Sequence, residues 1–176
     1  MSKVIITTAT TVDGVADGFE WFVSEGGHDQ ASRDQFQEGG AMLLGRKTYE
    51  GLAGYWPTQE GPWADRINPM PKFVASRTLQ APLEWNASLL EGDVEEAVPK
   101  LKAGLDGDLM VSGCGEFARD LIAKGLVDEL RFWLHPVVWG KGVRPFEGET
   151  VRMRLLDSKT FDSGVTLLSY EPSTTT

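Results

Sequence analysis

Apolar runs rich in β-branched residues alternate along this chain with glycine-punctuated amphipathic segments. Val4 to Val12 (VIITTATTV) has little polar alternation, the pattern of a strand buried on both faces, and Asp13-Gly14 ends it with a turn. Asp29 to Glu38 predicts a helix whose apolar face rests on Ala31 and Phe36. Ala41-Met42-Leu43-Leu44 predicts a short strand stopping at Gly45, with a helical segment from Thr48 to Leu52. Glu60 to Pro71, with three prolines, reads as a loop, and Lys72 to Ser76 as the next strand. Asp93 with Glu96 three residues on has the spacing of a capping box. It starts a helix ending near Gly104, which Pro99 is expected to kink. Asp108 to Ser112 predicts a strand, Glu116 to Lys124 a helix closed by Gly125, and Glu129 to Trp139 a long strand. Gly164 to Tyr170 is a last strand, able to pair antiparallel with its neighbour.

Strands alternating with helices, then a strand-rich C-terminal third, predict an α/β fold. Its sheet would be mostly parallel, with antiparallel strands at the C-terminal edge. The 176 residues suit one domain, taken to span 1–172, with Ser173 to Thr176 as a disordered tail. A net charge of -9 argues against nucleic acid or an anionic membrane as a partner, though not against a local basic patch for a small anion. The single cysteine, Cys114, excludes an intramolecular disulfide and any CxxC-type zinc site, so no metal is expected. No apolar run spans a bilayer and the N-terminus lacks a signal-peptide core, so a soluble, cytoplasmic protein is expected.

Three segments carry candidate chemistry. Gly45-Arg46-Lys47-Thr48-Tyr49-Glu50 follows an apolar strand and opens a helix. Free N–H groups, two cations and a hydroxyl suit a phosphate, but the same residues suit an ordinary strand-to-helix turn. Ser112-Gly113-Cys114-Gly115-Glu116-Phe117-Ala118 repeats the arrangement, and its glycines would let the backbone approach a ligand. It fits G-x-G-x-x-A, yet no acidic residue follows at the spacing a Rossmann motif needs. Ser76-Arg77-Thr78 closes a strand with two hydroxyls and a guanidinium, a set suited to a phosphate monoester or to a polar loop.

The runs AMLLGRKTYE, PKFVASRTL and DLMVSGCGEFARDLIAKGLVDELRFWLHPVVWGKG, with the opening ATTVDG, resemble the dihydrofolate-reductase-like family. The resemblance is strongest to the reductase domain of bifunctional riboflavin-biosynthesis deaminase-reductases and its stand-alone bacterial relatives. It covers about Lys3 to Pro172 and implies one central sheet flanked by helices on both faces, binding NADPH at the carboxyl ends of the strands. By position it places Gly45, Arg46, Lys47 and Thr48 on the cofactor's phosphates and Arg46, Ser76, Arg77 and Thr78 around the 2′-phosphate. Gly113, Cys114, Gly115, Glu116 and Phe117 would follow the pyrophosphate and nicotinamide ribose. Ala9, Thr10 and the Asp13-Gly14 turn would border the nicotinamide. Dihydrofolate reductases have a glycine run with a cis peptide where this chain has Cys114, which leaves the Gly113-Cys114 bond open. Cys114 itself is read as a small residue packed near the cofactor rather than a reactive thiol.

The resemblance implies a reductase that transfers hydride from NADPH to a small pyrimidine or pterin, as 5-amino-6-(5-phosphoribosylamino)uracil reductases do. True dihydrofolate reductase activity and non-catalytic NADP binding are the alternatives. No deaminase half is expected within these residues, since one cysteine cannot supply its zinc signature. A carboxylate on the first helix is the proton donor in dihydrofolate reductases, and Asp29 and Asp34 are the candidates here, with His28 as another donor. Trp21 and Trp56, with Phe22 and Tyr55, are candidates to stack on a flat substrate, and Asp13 to contact it. Trp133, His135 and Trp139 alternate in the long strand and read as sheet packing or a dimer interface. A homodimer is expected from the relatives.

Overall fold

The β-branched run becomes β1 (Val4–Thr11), a central strand of a computed structural model that describes residues 1–36, 39–148 and 150–173. Parallel partners lie on both sides of it, β5 (Asp108–Ser112) and β6 (Glu129–His135). Beyond β5 come β2 (Gly39–Gly45), β3 (Lys72–Ala75) and the short β4 (Ala87–Leu89), all parallel. Beyond β6 lie β8 (Thr166–Pro172) and β7 (Met153–Thr160), paired antiparallel. The eight-stranded order is β4-β3-β2-β5-β1-β6-β8-β7.

Two apolar layers hold this sheet. Val4, Ile6, Leu43 and Val111 face one cluster, which includes Val98 of helix α4 (Val94–Gly104) and Leu121 of α5 (Glu116–Ala123). Ile5, Met42, Leu44 and Met110 face the other, with Tyr49 of α2 (Arg46–Ala53) and Ile67 of α3 (Pro62–Ile67). Residues of opposite parity on each strand thus serve opposite helical layers, and the burial of both faces is the main stabilising term. Helix α1 (Gly27–Asp34) contacts α3.

Several expectations need correction. Pro62 opens α3 inside the segment read as a loop, because a first-turn proline lacks only a donor that the helix leaves unused. The strand read as continuing to Trp139 stops at His135, where Pro136 interrupts pairing. Strand β7 escaped the pattern because every residue of it is exposed, so it has no apolar face to alternate. Helix α4 runs through Pro99, and Asp93 caps it with its carbonyl, to Glu96 N and Ala97 N, rather than with its side chain. Glu38, the expected end of α1, and Thr174 to Thr176 of the expected tail lie outside the described residues.

Lys72 is an interior cation that the pattern did not suggest. It is 1% exposed, with its Nζ donating to Ile67 O (2.6 Å) and Asn68 O (2.8 Å) and lying 4.1 Å from the Trp85 ring centroid. The ammonium thereby closes the C-terminus of α3, while burial pushes its pKa down to about 8.

Candidate functional site

The carboxyl ends of β1, β2, β3 and β5 lie at one edge of the sheet, because these strands are parallel. Two helices start there directly from strands. Gly45 is required by packing: a Cβ on it would stand 2.7 Å from the Phe117 Cβ. That close approach brings the first turn of α2 against the first turn of α5. Neither helix has a side-chain cap, so first-turn N–H groups at both are left for another acceptor. Between them opens a groove of about 750 Å³, whose walls include Gly45, Arg46, Lys47, Thr48, Arg77, Gly115, Glu116 and Phe117.

Gly113 takes a left-handed φ of 79°, donates its N–H to Thr7 O (2.8 Å) and, like Gly115, borders open space where a side chain would stand. The Gly113-Cys114 bond is trans; among the described residues the one cis peptide is Ala81-Pro82. Helix N-termini, bare glycine backbone and the cations Arg46, Lys47 and Arg77 suit an extended polyanion. Arg46 is also paired with Glu50 at 3.0 Å.

A second cavity, a slot of about 200 Å³, adjoins the groove at Ser112. Thr7, Thr8, Ala9 and Gly113 form its floor, and Phe19, Phe22, Phe36, Trp63 and Trp133 supply flat walls. The Trp133 indole is anchored by its Nε1–H to Thr7 Oγ1 (3.1 Å) and stacks on Phe161. Asp29 is the carboxylate of the slot. Trp63 Nε1 donates to its Oδ1 at 3.0 Å and Arg33 Nη1 donates to its Oδ2. A carboxylate offers about four lone-pair sites, so each oxygen retains capacity for a ligand N–H.

Two histidines close the end of the slot. His135 is fully buried, and its Nδ1 accepts from Val23 N–H (3.1 Å), which fixes the neutral ring as the Nε2–H tautomer. Its Nε2 is buried without a hydrogen-bond partner among the described residues. Burial, reinforced by the charge of His28, pushes the His135 pKa down to about 4. His28 bridges Val23 O and Ser163 Oγ, each at 2.8 Å, with its ring edge-on to His135. Gln35, also in the slot wall, has a buried Oε1 with no partner among the described residues.

Of the residues singled out from the sequence, Gly45, Arg46, Lys47, Thr48, Arg77, Gly115, Glu116 and Phe117 meet in the groove. Ala9, Phe22, His28, Asp29 and Gly113 meet in the slot. Several candidates lie elsewhere. Asp34 is on α1 but outside the slot, bonded to Gln30 Nε2 at 2.6 Å. Ser76 turns the loop around Arg77, its Oγ accepting from Thr78 N and Leu79 N, and neither Ser76 nor Thr78 lines the groove. Cys114 is buried beneath the turn, and Thr10, one residue past Ala9, lines a cavity with Phe132 and Leu168 instead.

Asp13 is committed to tying its own turn to the loop that follows β6: Thr11 Oγ1, Trp139 N, Gly140 N and Arg144 Nη2 all donate to it. Those bonds, the Thr11 hydroxyl foremost, hold its carboxyl well below the usual range. Trp21 is buried behind the slot, with Nε1 on Asp17 O (2.8 Å) and its ring against His135. Trp56 borders a neighbouring apolar cavity rather than the slot. Trp133 and His135, expected to serve sheet packing or a dimer interface, instead line the slot; Phe36 reads in the sequence only as the apolar face of a helix, and Trp63 and Gln35 went unremarked because they carry no local signature.

The comparisons with known proteins agree with this geometry. The RibD C-terminal domain family matches residues 2–167. The uncharacterized protein YyaP of Bacillus subtilis (strain 168) is 28% identical over 179 residues, spanning 96% of this chain and 94% of its own length. Among solved structures, a putative riboflavin biosynthesis protein from Shewanella sp. PV-4 superposes with a TM-score of 0.77 at 19% identity, covering 97% of this chain and 99% of that one. A diaminohydroxyphosphoribosylaminopyrimidine deaminase/5-amino-6-(5-phosphoribosylamino)uracil reductase from Thermotoga maritima superposes at 0.65 with 15% identity. This chain covers 57% of that longer protein, and the match spans 98% of the present sequence. The fold is that of these reductase-like proteins, and the chain belongs to the RibD C-terminal domain family.

Proposed function

We propose that this protein is an NADPH-dependent reductase of a small pyrimidine- or pterin-like heterocycle. The observation that carries the reading is that the polyanion groove and the aromatic slot meet at Ser112. A dinucleotide following the groove would bring its nicotinamide to the slot's mouth.

The residues present fit that cofactor. Gly45, Arg46, Lys47 and Thr48 would hold its phosphates from one helix and Gly115, Glu116 and Phe117 from the other. Arg77 would take the 2′-phosphate. When bound, NADPH supplies the hydride. The chain's own part is orientation and proton handling. Phe22, Phe36, Trp63 and Trp133 would clamp a flat ring, and Asp29, steered by Trp63 and Arg33, would accept a ring N–H and pass a proton at its free lone pairs.

Thermal unfolding with NADPH and with NADH tests the cofactor half of the reading. Binding at ~100 times Kd adds ~2.7 kcal/mol, or about 5–11 °C for a chain this size. A shift with NADPH exceeding that with NADH is expected, and no shift with either would sink the reading. Asp29→Asn should keep the NADPH shift while slowing NADPH oxidation by about 10²–10⁴.

A further inference from the structure

We infer that the substrate is an unphosphorylated flat heterocycle bearing an apolar substituent, and that the site rejects a phosphoribosyl group; this rests on the reading of the slot as the substrate site. Beside the slot lies an apolar cavity of about 490 Å³ that shares Phe19, Phe36, Trp63 and Ser112 with it, so the two adjoin at those residues. Met42, Leu52 and Trp56 are among its remaining walls, and no charged residue lines it.

Charge decides what can lie there. Among the described residues no lysine or arginine lines either cavity, and the slot's carboxylate is Asp29. Arg33, the cation beside the slot, is held by Asp29 Oδ2 and by Gln30 Oε1 at 2.8 Å. His135 is neutral near pH 7, with its lowered pKa of about 4. A phosphate monoester brings a charge of about -1.5 to -2. His28, which also lines the slot, commits both ring nitrogens to Val23 O and Ser163 Oγ and so has no N–H to offer. Within these walls a phosphate would lose hydration, gain no free cationic donor and face a carboxylate.

Size and surface agree. The slot's ~200 Å³ is below the roughly 300 Å³ at which sites for drug-sized ligands begin, so it accepts a ring system and little more. Any substituent must continue into the apolar cavity or leave for solvent. Phe19 and Tyr55 stand at the cavity wall 66% and 54% exposed, aromatic surface that an apolar group would cover favourably.

The test is a tryptophan-fluorescence titration of the full chain, with and without saturating NADPH. Its probes are 5-amino-6-(5-phosphoribosylamino)uracil, the same compound lacking its phosphate, and 5-amino-6-(benzylamino)uracil. The benzyl compound should bind about tenfold or more tighter than the riboside, and the phosphorylated compound about tenfold or more weaker. A phosphorylated compound that binds as well as the riboside overturns the inference. So does a benzyl compound with no advantage, or the failure of all three to bind.

Gly51→Lys supplies a second handle, because a Cβ at Gly51, in the wall of the apolar cavity, meets nothing within 4 Å. The added cation should bring the phosphorylated compound up to at least the riboside's affinity, and an unchanged ranking would place the substituent elsewhere and overturn the assignment. The NADPH-induced thermal shift, measured on the same protein, separates the two failures. Its loss would sink the reductase reading, whereas its presence with the wrong affinity order would sink only this inference.

Discussion

Acid should loosen the slot through His135, and the size of the effect follows from its surroundings. The ring is fully buried, and its pKa falls from the ordinary 6.5 to about 4, first because burial penalises the imidazolium and then because His28 lies beside it. The hydrogen bond acts in the same direction. Nδ1 accepts from Val23 N–H, and a protonated Nδ1 would set a donor against that donor. Between pH 6.5 and 4 the unfolded chain binds a proton that the native state refuses, so stability is complete above 6.5 and declines as pH falls. At pH 5 the unfolded imidazole is ~97% protonated and the native one ~10%, which linkage converts to about 2 kcal/mol lost relative to pH 7.5. For a chain of this length that is a fall of about 4–8 °C in Tm.

His135→Asn keeps an acceptor for Val23 N–H and removes the titration. Calorimetry of both proteins at pH 7.5 and 5.0 should give the variant a lower starting Tm but a much smaller acid-induced fall. Equal falls in the two proteins would refute the assignment of this titration to His135. Because Val23 adjoins the Phe22 wall of the slot, ligand affinity in the parent protein should weaken over the same pH interval.

Arg77→Ala should weaken NADPH by about 10–100-fold, the worth of one charge-assisted hydrogen bond, and NADH far less; equal losses in titration calorimetry would count against a 2′-phosphate role. Lys72→Met leaves Ile67 O and Asn68 O without their donor, so a loss of about 2 kcal/mol in urea unfolding is expected, and an unchanged midpoint would show those carbonyls satisfied otherwise. We propose that the protein is a homodimer and that β7, where Leu155 and Leu156 are 52% and 41% exposed, lies in its interface. Light scattering should then report a dimer for the parent chain and a monomer for Leu155→Lys, whereas a dimeric variant would move the interface elsewhere.

What the sequence determined by itself is local or strongly periodic. β1 and the Ala41–Leu44 part of β2 were legible because both faces are buried there, so those residues are apolar or β-branched. The groove was legible because each of its halves is a contiguous strand–glycine–helix segment, Gly45 to Thr48 and Gly113 to Phe117, whose chemistry is written in neighbouring residues. Family membership followed from the order of those segments.

Only the tertiary structure decided the slot. Thr7 and Trp133 meet across 126 positions, and His135 meets Val23 across 112, through parallel pairing of β1 with β6 and a loop that folds back over it. Asp29 was separated from Asp34 by the turn of α1, which presents one carboxylate to Trp63 and the other to solvent. The same holds for Asp13, whose four donors come partly from a loop some 130 residues away. Long-range pairing brings such groups together, and burial then sets their protonation; neither leaves a mark in the spacing of neighbouring residues.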